Sequence, residues 1–213
     1  MDRTKTMERP MFEAFRAHFS RDSASPSEAG GGDIETMAPA LRELLGEFGG
    51  ASFNQGLYRV VRAGDAGAWA ARVALAFPAF QGRIACFGYD WLGRAFALDS
   101  GRLEGGAPGV TLFDVGTGQA LEIPADIAAF HDDILIRHAE PALAVDFHRR
   151  WLASGGAAPR HSECVGYKKP LFLSGKDELE NLEIGDLDVY WHIFGQIIAK
   201  LHAARAAPSS SRP

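Results

Sequence analysis

The sequence predicts an α+β fold: a central antiparallel β-sheet packed by helices, with a C-terminal helix closing the core. Three observations predict it. Short apolar runs punctuated by Gly and Asp fill residues 83–123, the pattern of strands joined by hairpins. Helical spacing of apolar residues lies on both sides of that region. The strongest helical pattern in the chain comes last: Tyr190, Ile193, Phe194, Ile197, Ile198 and Leu201 fall on one face. Strands gathered together with helices outside them describe α+β rather than an alternating βα order.

Taken in order, Glu8 to Phe19 reads as a short helix with Phe12, Phe15 and Phe19 on one side and Pro10 in its first turn. Ser20 to Asp33 is rich in Ser and Gly and reads as a flexible linker. Ile34 to Phe48 is a second helix, with Leu41, Leu44, Leu45 and Phe48 as its stripe and Gly49-Gly50 as its left-handed cap. Pro39 places its regular part close to that residue. Leu57 to Val61 is a strand. Asp65 to Phe77 is helical, with Trp69, Val73 and Phe77 inward, and Pro78 stops it. Arg83 to Gly88 and Arg94 to Asp99 flank Tyr89-Asp90-Trp91-Leu92-Gly93, a hairpin in which Asp90 and Arg94 can pair across the turn. Val110 to Val115 and Ala120 to Ile123 flank a second turn, Gly116 to Gln119. The expected sheet has one face covered by helices. Asp126 to His138 is a helix capped by Asp126, and Pro141 to Ala153 is another, using Leu143, Phe147, Trp151 and Leu152.

Ser154 to Glu163 is a Gly/Pro loop. Cys164 to Leu173 is extended. Ser174 to Asp188 is a polar loop carrying the carboxylates Asp177, Glu178, Glu180, Glu183, Asp186 and Asp188. Asp186 is the expected N-cap of the last helix, with Asp188 in its first turn and Lys200, His202 and Arg205 near its other end, as the helix dipole favours. The expected organisation is an N-terminal helix and linker over 1–33, an α+β lobe over 34–153, a C-terminal lobe over 154–205 and a frayed tail over 206–213.

The 213 residues can bury a sizeable core, and 46% hydrophobic with 23% charged residues is ordinary for a globular protein. No apolar run approaches the ~20 residues that span a bilayer. MDRTKTMERP has no apolar stretch after its charges, so a cytoplasmic protein is expected. Cys86 and Cys164 sit in apolar surroundings and read as buried, reduced thiols. A net charge of −5 argues against a nucleic-acid binder; it is compatible with an acidic surface for a basic protein, and is by itself the charge of many ordinary cytosolic proteins.

Catalytic sets are weak. His131-Asp132-Asp133, with His138, Asp146 and His148, invites a metal-dependent hydrolase reading, but the spacing fits no metal-site pattern, and solvated polar residues on a helix are the simpler account. No Gly-x-Ser-x-Gly elbow or phosphate loop is present. Cys164 with His161 lacks an orienting carboxylate beyond Glu163, which favours a packed thiol over a nucleophile. His192 reads as a surface histidine. The acids from Asp177 to Asp188 do not fit the register of a Ca²⁺ loop. They form either a solvated loop or a partner surface, with Leu179, Leu182, Ile184 and Leu187 as inward anchors. Tyr89 and Trp91, at the first hairpin tip, are the aromatic candidates for a partner anchor, with Trp91 alternatively tucked under the sheet.

One stretch also carries a resemblance. CVGYKKPLFLSGKDELENLEIGDLDVYWHIFGQI, residues 164–197, resembles the C-terminal signature of a bacterial immunity family whose members neutralise DNase effectors delivered by type VI secretion. GRIACFGYDWLGRAFALD, residues 82–99, is similar to the preceding GAD-like half of such proteins, and LFDVGTGQALEIP, residues 112–124, is similar to the wider SUKH group of toxin-neutralising proteins. The resemblance covers roughly 48–202 and implies a SUKH-like α+β fold. It also implies a non-catalytic immunity protein with no cofactor and no metal, whose partner is a toxin, a basic nuclease. The acids Asp177, Glu178, Glu180, Glu183, Asp186 and Asp188, with Tyr89 and Trp91, are then the expected partner-binding residues. The alternatives left beside it are the hydrolase at His131-Asp132 and a non-catalytic regulatory scaffold.

Overall fold

The computed structural model describes residues 10–23 and 38–206, with side chains to residue 202. Helix α1 is Glu13–His18, shorter than expected, because Phe12 stands at its N-cap with φ 64°, a left-handed backbone that cannot continue a helix. Residues 8 and 9, most of the linker and residues 34–37 lie outside the described residues. Helix α2 is Pro39–Phe48, with Pro39 at its first position and Leu41, Leu44, Leu45 and Phe48 buried. Of its two following glycines, Gly50 takes the left-handed conformation (φ 77°) and Gly49 does not.

The strands β1 (Ser52–Phe53), β2 (Tyr58–Val60), β3 (Ile84–Asp90), β4 (Ala95–Glu104), β5 (Ala107–Asp114) and β6 (Gln119–Ile123) form a six-stranded antiparallel sheet in sequence order. Both expected hairpins are present, with Tyr89 opposite Ala95 and Phe113 opposite Ala120. A further hairpin turns at Gly105-Gly106, both with positive φ, because β4 runs on to Glu104. Helix α3 is Ala66–Ala76, with Trp69 and Val73 buried.

Helices cover both faces of the sheet, where one covered face was expected. Side chains alternate across a strand, so neighbours in register share a face. Tyr58 and Phe96 face α1 and the segment after β6, where they meet Phe15, Phe130 and His131. Tyr89 and Phe113 face the other way, against Trp69 and Phe77. β3 is accordingly buried from Cys86 to Asp90 without alternation.

The segment after β6 is broken where one continuous helix was expected. It runs α4 (Ile127–Ala129), a π-helical turn over Phe130–Ile134, and α5 (Leu135–Arg137). Asp126 caps it as expected, accepting from the Ala129 N–H at 2.8 Å. The π turn coincides with His131, whose Nδ1 takes the Ile127 carbonyl at 2.7 Å and so competes with the backbone ladder. Helices α6 (Ala139–Leu143) and α7 (Val145–Ala153) are separated by Ala144 at φ 51°.

The stretch expected as a polar loop is partly a strand. β7 (Glu163–Tyr167) and β8 (Leu182–Asp186) pair antiparallel as a separate ribbon, Val165 opposite Ile184. Helix α8 (Leu187–Ala206) follows at once. Asp186 caps it, accepting from Val189 N–H at 2.9 Å. Its buried face is Leu187, Trp191, Phe194 and Ile198, about a sixth of a turn away from the expected stripe, and it packs on α3 through Trp191 against Trp69. Ile193, expected inward, is 48% exposed.

Candidate functional site

The six acids sit on the ribbon, its connecting loop and the start of α8, and all six are exposed. The loop that carries them has a defined shape. Asn181 donates to the Lys169 and Lys176 carbonyls at 2.9 and 2.8 Å and accepts from Lys169 N–H at 3.0 Å. Leu171 N–H donates to the Gly116 carbonyl at 2.9 Å, which ties the loop to the second hairpin.

Three of the acids have structural partners. Asp177 accepts from the Tyr167 hydroxyl at 2.6 Å, and burial, followed by this bond, raises the Tyr167 pKa. Asp186 caps α8. Asp188 pairs with Arg72, whose guanidinium lies 4.5 Å from the Trp69 ring. The other three face solvent: Glu178 comes within 3.6 Å of Lys176, and Glu180 and Glu183 take no side-chain hydrogen bond among the described residues.

Beside the acids lies an apolar ridge. Val189 is 54% exposed, and Ile193 and Leu75 are exposed around it. Val189 separates two grooves. One, of about 470 Å³, lies between α3 and α8 and is lined by Ala68, Arg72, Leu75 and His192. The other, of about 250 Å³, is lined by Lys168, Glu183, Asp186, Tyr190 and Ile193. Exposed apolar side chains with a charged rim are the composition of an interaction surface. The sequence reading missed this ridge, expecting Ile193 in the core; Ile184, expected inward, is also exposed. The signal was available: Val189 and Ile193 are four apart, and Trp191, a stronger claimant for the buried face, stands between them.

Tyr89 and Trp91 are not at the surface, which corrects their expected role as exposed anchors. Trp91 is fully buried and donates from Nε1 to the Leu143 carbonyl at 2.9 Å. Tyr89 is buried against Trp69, its hydroxyl donating to the His161 carbonyl at 2.8 Å. The ribbon and α8 cover the hairpin tip: Val165 N–H donates to the Trp91 carbonyl at 2.8 Å, and Trp191 Nε1 to the Gly93 carbonyl at 2.7 Å. Gly93 has φ 77°, and a Cβ there would stand 3.0 Å from the Cys164 Cβ, so the close approach needs glycine. Asp90 holds the tip, accepting from Leu92 and Arg94 N–H and pairing with the Arg94 Nε at 2.7 Å. Burial raises the Asp90 pKa against the opposing pull of Arg94.

The expected catalytic alternatives are placed as follows. His131 is fully buried, with Nδ1 on the Ile127 carbonyl and Nε2 2.9 Å from the Tyr58 hydroxyl. Because a carbonyl only accepts, Nδ1 carries the proton and Nε2 accepts from Tyr58. Burial holds this imidazole down at about 4. Both nitrogens are engaged, which leaves none for a metal. Asp132 Oδ1 accepts from Phe15 N–H at 3.0 Å, so a residue 117 positions away closes the N-terminus of α1. Asp133 pairs with Arg137, Asp146 with Arg149, and His148 lies 3.2 Å from the Gln55 carbonyl. Among the described residues no group of three or more His, Cys, Asp or Glu is arranged to hold a metal ion. The Cys164 thiol is buried and pushed up to about 12, and His161 bonds to Tyr89 instead. Cys86 is likewise buried and unpaired. His192 is exposed, beside Gln196. No helix among the described residues is long and apolar enough to cross a membrane.

Residues 142–198 match the family model described as T6SS immunity protein Tdi1, C-terminal, so this stretch is similar to a domain of type VI secretion immunity proteins. The matched stretch contains all six acids, the ribbon and α8 as far as Ile198. The fold as a whole is similar to a solved structure, the crystal structure of Atu4351 from Agrobacterium tumefaciens, with a TM-score of 0.62 over 87% of this chain and 89% of that one. The two are 16% identical, so this likeness speaks for the fold alone. The search of curated proteins returned no match.

Proposed function

We propose that this is a cytoplasmic immunity protein that binds a cognate antibacterial toxin and blocks its active site, without catalysing a reaction itself. The observation that carries the reading is the family match over the segment that displays Glu178, Glu180 and Glu183 beside the Val189 ridge. The mechanism is occlusion. Apolar contact at Val189, Ile193 and Leu75 supplies burial, and the glutamates supply charge complementarity to a basic groove. Such a groove is what a nuclease offers to phosphates, so a basic nuclease, a DNase by the family's precedent, is the proposed partner. The stretch 154–205 is then the partner-facing lobe, and 34–153 its support.

The test is co-expression with the toxin encoded beside this gene. Cells carrying both should grow, and cells carrying the toxin alone should die. Equal killing with and without this protein refutes the proposal.

A further inference from the structure

Arginines gather at a second place, where the sheet meets the ribbon. Arg59 on β2 is fully buried. Its Nη1 donates to the Arg160 and Glu163 carbonyls, both at 2.6 Å, and its Nη2 to the Asp90 carbonyl at 2.7 Å. These acceptors are neutral, and Arg59 has no ion pair among the described residues. Its positive charge is therefore buried without a counter-ion, a costly arrangement. Arg62, just past β2, has a buried Nε with no hydrogen-bond partner.

Arg62, His161 and Ser162 form a wall shared by two hollows. The larger, of about 540 Å³, is also lined by Asp22, Gln55 and Arg160. The smaller, of about 270 Å³, is also lined by Asp65, Arg72, Tyr89 and Asp188. Two of the lining carboxylates are occupied. Asp22 accepts from Ser52 Oγ and from the Gln55 and Gly56 N–H groups, and Asp188 pairs with Arg72. Arg62 and Arg160 make no ion pair among the described residues. The half-buried His161 feels the excess: after burial, the fields of Arg62 and Arg59 are the main causes that hold it down at about 4.

We infer that the paired hollows astride Arg62 bind an acidic peptide segment, whose side-chain carboxylate is clasped by the Arg62 guanidinium with Ser162 and Arg160 on the same lining. A guanidinium fork matches a carboxylate in two parallel hydrogen bonds, and the bound anion supplies the counter-charge that Arg62 lacks. Hollows on both sides of the wall leave room for the peptide to run past it. A phosphate dianion fits less well, because Asp22, Asp65 and Asp188 line the same hollows. The smaller hollow adjoins the groove beside Val189, sharing Ala68, Arg72 and Asp188 with it, but the inference does not depend on the immunity reading.

His161 is the reporter. The ring resonances of His161 are followed by NMR across pH in the full chain, with added capped Gly–Glu–Gly peptide, its Gly–Gln–Gly counterpart, or inorganic phosphate. A carboxylate seated beside the ring raises the His161 pKa by about 1 unit. The expected result is that rise with the glutamate peptide, none with the glutamine peptide, and its loss in Arg62→Gln. Should Arg62→Gln fail to fold, the exposed Arg160→Gln replaces it, with the peptide's apparent affinity expected to fall about threefold. No shift with the glutamate peptide, an equal shift with the glutamine peptide, a shift with phosphate alone, or undiminished binding in the variant that folds each overturns the inference.

Discussion

Acidification between about pH 7 and pH 5 destabilises this protein through His131, and the size of the effect follows from its surroundings. The imidazole is fully buried and its folded pKa is about 4, against an ordinary 6.5. A depressed histidine binds fewer protons folded than unfolded, so stability rises with pH across that window and falls as pH drops through it. At about 1.4 kcal/mol per unit, the loss from pH 7 to pH 5 due to His131 is about 2 kcal/mol, growing to about 3 kcal/mol near pH 4. His148 and His161 are also depressed and act in the same direction, so the contribution of His131 is isolated by difference. His131→Gln supplies an amide that can donate toward Ile127 and accept from Tyr58 without titrating. Urea unfolding of both proteins at the two pH values is the assay. The wild type should lose about 2 kcal/mol more than the variant on acidification. Equal losses would refute the assignment of a neutral, buried His131.

Reversing Glu178, Glu180 and Glu183 to Lys should weaken toxin binding and flatten its salt dependence, measured by titration calorimetry at two ionic strengths, while the thermal midpoint stays within a few degrees; unchanged affinity moves the interface elsewhere. Val189→Asp should cost at least tenfold in affinity, about 1.4 kcal/mol, and about 0.5 kcal/mol or less in stability, because the side chain is exposed. Retained affinity would remove the ridge from the interface. Asp132→Ala should cost about 1 kcal/mol in urea unfolding by uncapping α1; wild-type stability would show that the carboxylate is dispensable there.

The fold class was legible because its signals are local. Turn residues separate the strands, and apolar spacing marks α2 and α3, whose bounds lie within a few residues of the expected ones wherever they are described. What was not legible depends on contacts far along the chain. Asp-Trp-Leu-Gly-Arg reads correctly as a turn with an Asp90–Arg94 pair, but nothing in those residues says that β7 and α8 close over it. Trp91 is therefore inside. The break at His131 comes from a side chain taking the carbonyl of a residue four earlier, a choice fixed by Tyr58 from the opposite side. The six acids were legible only as neighbours in sequence, and the division into three with structural partners and three on display needed Tyr167, Arg72 and the turn into α8.

The loop between β7 and β8 keeps its shape through the Asn181 side chain and through main-chain groups. Glu178, Glu180 and Glu183 therefore project from a frame to which their side chains contribute little. Under the proposed immunity role, exchanging those three positions should alter which toxin is recognised without a refolding penalty. A lineage facing a new toxin could re-key its defence there, provided Asn181 stays.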